Sequence, residues 1–373
     1  MHINRRDILR AAIAGSLAAA APSVVFSADH KADKPLRILI LGGTGFIGPH
    51  MVQTAVDRGH EVTLFNRGNV SDLFPGLEQL TGDRDGQLDA LEGNSWDAVI
   101  DNSGYVPRHV KDSAKLLSRT TPHYLYISTV AVYADLNSPD MDEHSPLATI
   151  EDESVEEVTG ETYGPLKALC ESMVKNYYAE DAITILRPTY IVGPGDTSDR
   201  FIYYIDRPMA GGRMPVPGPE DAALSYVDVR DLAEFTIRTL EEKITGTYNI
   251  VSPPGRNSIG ELMDLSLAAS GAEVDLVWVP EQVQADKRDE LREFPMFPPP
   301  ATEGGLGYMS QSAAVGKGFS NRPFKDTVAA TYAWWMAQPP ERRQNKRQVF
   351  PEDVQRQWLQ AVAEADAQAR KSG

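Results

Sequence analysis

"LRILILGGTGFIGPHMVQTAVDRGH", residues 36–60, decides the reading of the fold. Residues 36–41 form a short apolar run broken only by Arg37, as expected of a strand buried on both faces of a sheet. The run passes directly into Gly42, Gly43, Thr44, Gly45, Phe46, Ile47 and Gly48, and a helical apolar pattern continues through Met51, Val52 and Val56. Glycines at 42, 45 and 48 permit a tight turn and let backbone approach a pyrophosphate at a helix N-terminus. A glycine triad alone is a weak signal. Set between a strand and a helix, with a second strand-like run, "EVTLFN", soon after, it predicts a dinucleotide-binding turn made of residues 42–48.

The end of the second strand bears on which dinucleotide. An acidic residue there would accept hydrogen bonds from the adenosine ribose and repel a 2′-phosphate. Asn66 and Arg67 stand there instead, which favours NADP over NAD, although Arg67 also fits a solvated loop charge. Three more strand-like runs follow, "EQLTGD", "DAVIDNSG" and "HYLYISTVAVY". Apolar strands alternating with helix-length segments predict an α/β protein with a doubly wound, Rossmann-type parallel sheet. Asp83, with Arg84 beside it, ends the third strand, where the adenine edge is expected. Asn102 and Ser103 end the fourth, along the path of the ribose and nicotinamide.

Ser128 and Thr129 end the fifth strand, and "TYGPLKALCE" later places Tyr163 and Lys167 four residues apart, on one face of a helix. A tyrosine is a poor base at neutral pH, and a neighbouring ammonium stabilises its phenolate. Tyr163 is expected to move the proton, Lys167 to assist it, and Thr129 or Ser128 to orient the substrate oxygen.

Together these residues resemble the extended short-chain dehydrogenase/reductase superfamily, in its NAD-dependent epimerase/dehydratase branch. The resemblance spans about residues 36–340 and rests on "GGTGFIG", "GDRDG", "ISTVAVY", Tyr163-x-x-x-Lys167, "ILRPTYIVGPGD", "YVDVRDLAEF" and "GTYNIV". It implies Thr129, Tyr163 and Lys167 as the catalytic set and Pro188 and Thr189 as flanks of the nicotinamide end. Two departures narrow the substrate. Sugar-nucleotide 4,6-dehydratases of this branch carry an Asp–Glu pair after the catalytic threonine, where this chain has Val130 and Ala131. UDP-sugar epimerases place an arginine on the nucleotide diphosphate just before a run like "YVDV", where this chain has Leu224, leaving Arg200 and Arg230 as substitutes. A plant chloroplast branch with a similar "FNRG…GDR" pattern has been linked to RNA binding.

Composition opposes that last role. The net charge of −17 repels phosphate backbones and anionic membrane surfaces. A single cysteine, Cys170, and scattered histidines predict neither an intrachain disulfide nor a metal site. Residues 1–28 read as a targeting segment: Arg5 and Arg6 precede an alanine-rich apolar run too short to span a bilayer. The paired arginines predict the twin-arginine export machinery as a partner, a periplasmic or otherwise exported protein and no stable membrane insertion. That route carries folded proteins, so the cofactor, NADP or NAD, is expected to travel out tightly bound and to be restored within each catalytic cycle.

The expected organisation is a dinucleotide-binding domain over 35–190 with 222–250 returning to it, a smaller substrate lobe from 191–221 and 251–340, and a charged helical tail, 341–373, that docks on the body or pairs a homodimer. The acidic stretch 135–161 reads equally as a lid or as a solvated loop. Phe201, Tyr203, Tyr204 and Trp278 read first as core aromatics of this lobe, with the lining of a substrate pocket as the alternative. The expected activity is that of an oxidoreductase or epimerase on a sugar or other small hydroxy or carbonyl compound. The rivals are a reductase exchanging free cofactor and a non-catalytic dinucleotide-binding protein.

Overall fold

The computed structural model describes residues 31–296 and 305–372, apart from 139 and 348; the expected targeting segment lies outside the described residues. The first half alternates strands and helices: β1 (Arg37–Leu41), α1 (Ile47–Asp57), β2 (Glu61–Asn66), β3 (Glu78–Thr81), β4 (Ala98–Asp101), α2 (Pro107–Leu117), β5 (Tyr124–Ile127), α3 (Tyr163–Lys175) and β6 (Ile183–Pro188). With β10 (Gly246–Ile250) these strands form a seven-stranded parallel sheet in the order β10-β6-β5-β4-β1-β2-β3. Leu39 is in register with Thr63 on one side and Val99 on the other. The chain leaves β1 toward β2 and β3, then crosses back to β4, so the order reverses between β1 and β4. Ligands of doubly wound sheets bind in the crevice that opens there, at the carboxyl ends of the strands.

The apolar strands are continuous because both faces are covered. Ile38 and Ile40 face α1 and α5 (Val229–Glu241), in one core with Met51, Val52, Leu232 and Phe235. Leu39 and Leu41 face α2 and α3, with Val110, Leu117, Tyr124, Tyr126 and Val174. Each large side chain so buried contributes on the order of 2 kcal/mol.

A second core gathers the rest of the chain: β7 (Tyr190–Val192) paired with β9 (Tyr226–Asp228), β8 (Arg213–Pro217) paired with β11 (Asp275–Val279), α4 (Ile202–Asp206), α6 (Ile259–Ser270) and α7 (Phe324–Met336). Phe201, Tyr203, Tyr204, Met214, Met263 and Phe324 lie inside it. The C-terminal α8 (Pro340–Gln344) and α9 (Glu352–Ser372) belong to the same body, since Phe350 and Trp358 pack on Phe294 within this core. Among the described residues no helix is long and apolar enough to cross a membrane.

Candidate active site

The turn after β1 has the geometry a dinucleotide requires. Gly42 and Gly43 take φ of +108° and +96°, which favour glycine, and a Cβ on Gly48 would stand 2.5 Å from the Gly43 backbone. Helix α1 can therefore start directly on the turn. Gly45 faces open space, with nothing within 4 Å of where its Cβ would be. No side chain caps the helix at Phe46, so its first N–H groups are left for a ligand anion. Thr44 and Ile47 flank the opening, half-buried. Asn102 overlies the turn, its Oδ1 2.3 Å from where a Gly42 Cβ would be, and Ser103 donates to the Leu41 carbonyl at 2.9 Å. These residues fit a nicotinamide dinucleotide.

At the end of β2, Asn66 Oδ1 accepts from the Gly68 N–H at 2.8 Å and shapes the turn, while Arg67 is exposed. Asp83 likewise accepts from the Asp85 N–H at 3.0 Å. Arg84 needs correction as a cofactor ligand. Its guanidinium is buried and donates to both Asp101 carboxylate oxygens at 2.5 and 2.6 Å and to Ser113 at 2.7 Å. Tyr124 donates to the same carboxylate at 2.6 Å. Arg84 thus anchors the end of β4, which leads into Asn102, Ser103 and Gly104.

Three catalytic candidates meet where β5 ends. Thr129 starts a single 3₁₀ turn (Val130–Val132), its oxygen accepting from the Ala131 N–H at 3.2 Å, and its side chain lies near enough to the Tyr163 phenol to lower that group's pKa. What brings Tyr163 there is Gly164, where a Cβ would stand 2.2 Å from the Ala131 carbonyl oxygen. The sequence signal for this packing is the glycine directly after the tyrosine in "TYG". One turn on, the buried Lys167 donates to the carbonyls of Gly104 at 2.8 Å and Ile127 at 2.7 Å, with its ammonium 4.1 Å from the Tyr126 ring centroid. Ser128 does not belong to the set. Its hydroxyl donates to Glu171, further along α3, at 2.6 Å, in a buried network where Arg187 pairs with Glu171 at 2.7 Å and reaches Tyr133 at 3.0 Å.

The electrostatics also differ from expectation. Burial pushes the Tyr163 phenol above its ordinary value. The Thr129 side chain and the Arg200 guanidinium pull it down, and the nearby Tyr105 phenol adds to the rise. The charge of Arg200 is the smallest of these influences, and the Lys167 Nζ is bound to the strand-end carbonyls. Burial also brings Lys167 itself down to about 8. Pro188 and Thr189 are buried at the end of β6, where Ser225 donates to Thr189 Oγ1 at 2.9 Å.

Arg200 also lines a cavity of about 350 Å³ together with Tyr190, Arg292, Glu293, Phe294, Pro295, Met296, Val349 and Phe350. Arg200 lies over the Tyr190 ring, 5.2 Å from its centroid, and makes no ion pair among the described residues. The aromatics take the core role: Phe201, Tyr203 and Tyr204 are buried in the lobe core, where Tyr203 donates to the Pro215 carbonyl at 3.0 Å and Tyr204 to the Pro295 carbonyl at 2.5 Å, and Trp278 packs half-buried against that core. Arg230 is no substitute nucleotide clamp, because it is held by Asp228 at 2.6 Å, and Leu224 is buried. The acidic stretch is tied down at several points: the Asn249 N–H donates to Glu143 at 2.7 Å, and Arg108 bridges Glu156 at 2.7 Å and Asp85 at 2.8 Å.

Comparison with known proteins agrees with this geometry. The sequence model of the NAD dependent epimerase/dehydratase family matches residues 38–251. The chain belongs to that family, and it is a nicotinamide-dependent enzyme of the extended short-chain dehydrogenase type. It is 25% identical over 329 residues to the UDP-glucose 4-epimerase of Neisseria meningitidis serogroup A, covering 74% of this chain and 92% of that protein. It is 28% identical over 221 residues to the chloroplast stem-loop binding protein of 41 kDa b of Arabidopsis thaliana, and there it spans 55% of either chain. Among solved structures, the Bordetella bronchiseptica enzyme WbmG in complex with NAD and UDP shares the fold, with a TM-score of 0.60 at 19% identity over 81% of this chain and 96% of that one.

Proposed function

We propose that this enzyme oxidises and re-reduces, or epimerises, a hydroxyl-bearing compound of sugar size that carries an anionic group, using a cofactor it retains. When bound, the nicotinamide ring supplies the hydride acceptor and donor. The observation that carries the reading is Arg200, which lines the cavity free of any ion pair among the described residues and whose charge lowers the pKa of the catalytic tyrosine. Thr129 orients the substrate oxygen, Tyr163 takes and returns its proton, and Lys167 holds the floor of the site by its two carbonyl bonds. Arg200 receives the anionic group and favours the phenolate, since a cation near a buried phenol offsets part of the cost of ionising it.

Nucleotide sugars, the substrates named for the Neisseria relative, supply such an anion, and so do sugar phosphates and sugar acids. Stem-loop binding, which the name of the Arabidopsis relative states, is opposed here by the net charge of −17. Arg67, exposed at the end of β2, supports NADP as the cofactor. Arg5 and Arg6 support export in the folded state, and a protein sent out with its cofactor aboard is served best by chemistry that regenerates the cofactor in each cycle. The test is turnover on a panel of UDP-sugars, sugar phosphates and sugar acids, with mass spectrometry of the cofactor bound to protein from the exported fraction. Tyr163→Phe should lower turnover by about 10²-fold or more; unchanged turnover would overturn the catalytic assignment.

A further inference from the structure

We infer that the C-terminal segment 342–355 is part of the substrate site, and that Arg342 is a positioning residue that sets Arg200 through Asp199. The inference rests on the reading of Arg200 as the anion contact. Asp199 and Arg200 are neighbours that face opposite ways. Arg200 lines the cavity, whereas the Asp199 carboxylate is fully buried against the tail. It accepts from Arg342 at 2.9 and 2.5 Å and from the Arg347 N–H at 2.7 Å. Asp199 has φ of +59°, a left-handed conformation that costs free energy for any residue but glycine. The turn keeps that conformation because tail donors hold its side chain from one side. From the other, Asp196 accepts from the Ser198 N–H at 2.7 Å, and Ser198 Oγ accepts from Arg200 Nε at 3.2 Å.

The same segment is stapled to the following helix α4. Lys346 pairs with Asp206, and Arg207 donates to Gln355 at 2.7 Å. Val349 and Phe350 then form one wall of the cavity, with Phe350 packed on Tyr203 at 5.2 Å and Phe294 at 4.9 Å between ring centroids. All of these tail residues lie beyond residue 251, where the family match ends. The tail supplies both a wall of the pocket and the brace for its cation.

Removing Arg342 leaves a buried carboxylate without its charge partner, and the turn must rearrange to reach water. Arg200 then loses its fixed direction. The experiment is calorimetric titration of the full-length, cofactor-loaded protein with four anionic probes: UDP, inorganic pyrophosphate, galactose 1-phosphate and glucuronate. The wild type should bind at least one of them, and Arg200→Gln should weaken that binding at least about tenfold. Arg342→Gln should weaken it by about fivefold or more, while Arg342→Lys recovers most of the loss and the affinity for NAD(P) stays unchanged. The double variant Asp199→Asn/Arg342→Gln should bind no worse than the weaker single variant, because both remove one interaction. If Arg342→Gln does not fold, Asp199→Asn takes its place, since asparagine tolerates the left-handed conformation.

The outcomes separate. A wild type that binds none of the probes, or an Arg200→Gln variant that binds like wild type, overturns the reading of the pocket and the inference with it. Loss of binding in Arg200→Gln with wild-type binding in Arg342→Gln overturns the positioning role alone. A fall in NAD(P) affinity equal to the fall in probe affinity would show a general structural role and overturn it as well.

Discussion

Gly164 and Ala131 are in contact so close that a Cβ on the glycine would stand 2.2 Å from the alanine carbonyl oxygen. This contact seats the N-terminus of α3 on the turn that begins with Thr129, and it keeps Tyr163 close enough to Thr129 for the threonine to lower the phenol's pKa.

Gly164→Ala should therefore separate the two hydroxyls. Overpacking of this kind costs about 1–3 kcal/mol, and kcat should fall by about tenfold or more because the proton-transfer geometry is lost. Gly160→Ala is the control, as nothing lies within 4 Å of its Cβ position. Equal kcat values for the two variants would show that the contact does not place Tyr163.

Ser128 and Thr129 are adjacent and should behave in opposite ways. Ser128→Ala removes one donor from Glu171, which keeps Arg187, and should cost about 1–2 kcal/mol in urea unfolding with kcat nearly unchanged. Thr129→Val should leave stability within about 1 kcal/mol and lower kcat by about 10²-fold. A large kcat loss in Ser128→Ala would return that serine to the reaction.

Cofactor choice separates two arginines. Arg67→Ala should weaken NADP by about tenfold more than NAD, a difference of about 1.4 kcal/mol. Arg84→Gln strands the buried Asp101 and should destabilise the fold by about 3–5 kcal/mol without altering the NADP-to-NAD ratio. Equal losses of both cofactors in Arg67→Ala would remove the phosphate contact from the end of β2.

His123 makes stability depend on pH. Burial, and then the charge of Lys243, bring its pKa down from the ordinary 6.5 to about 4. Thr184 donates to the Ile244 carbonyl at 2.6 Å, so its oxygen accepts from His123 Nε2 at 2.8 Å, and burial favours the neutral ring. The unfolded chain binds the proton more tightly, so this contribution is complete above pH 6.5 and is lost as pH falls from 6.5 toward 4. The loss over that window is on the order of 3 kcal/mol. Urea unfolding at pH 7 and pH 4.5 should show wild type losing more stability than His123→Gln; equal losses would contradict the shift.

How much of this was legible follows from the distance over which each feature is determined. The strand, glycine turn and helix of residues 36–60 are local, and so is the spacing of Tyr163 and Lys167; periodicity and composition report such features directly. The seven-stranded parallel sheet followed from the repeated alternation of strands and helices. The partners of Arg84, Ser128 and Lys167 are set by packing between segments 17–63 residues apart, which no local pattern reveals. Phe201, Tyr203 and Tyr204 went to the core rather than the pocket because a small lobe needs its largest side chains inside. Arg200 was visible only as a substitute clamp, and the cavity it lines draws on three separate stretches, 190–200, 292–296 and 349–350.

That division has an evolutionary consequence. Thr129, Tyr163, Lys167 and the glycine turn lie within residues 38–251, whereas seven of the nine residues lining the cavity lie beyond them. On the proposed reading of this cavity as the substrate pocket, reaction chemistry and molecular preference are written in different parts of the gene. Substitutions, insertions or exchange of the last third of the chain can retarget the enzyme to a new compound while every reacting group stays in place. Under that reading the family-matched portion carries what reaction is run, and the last third of the chain carries on whom.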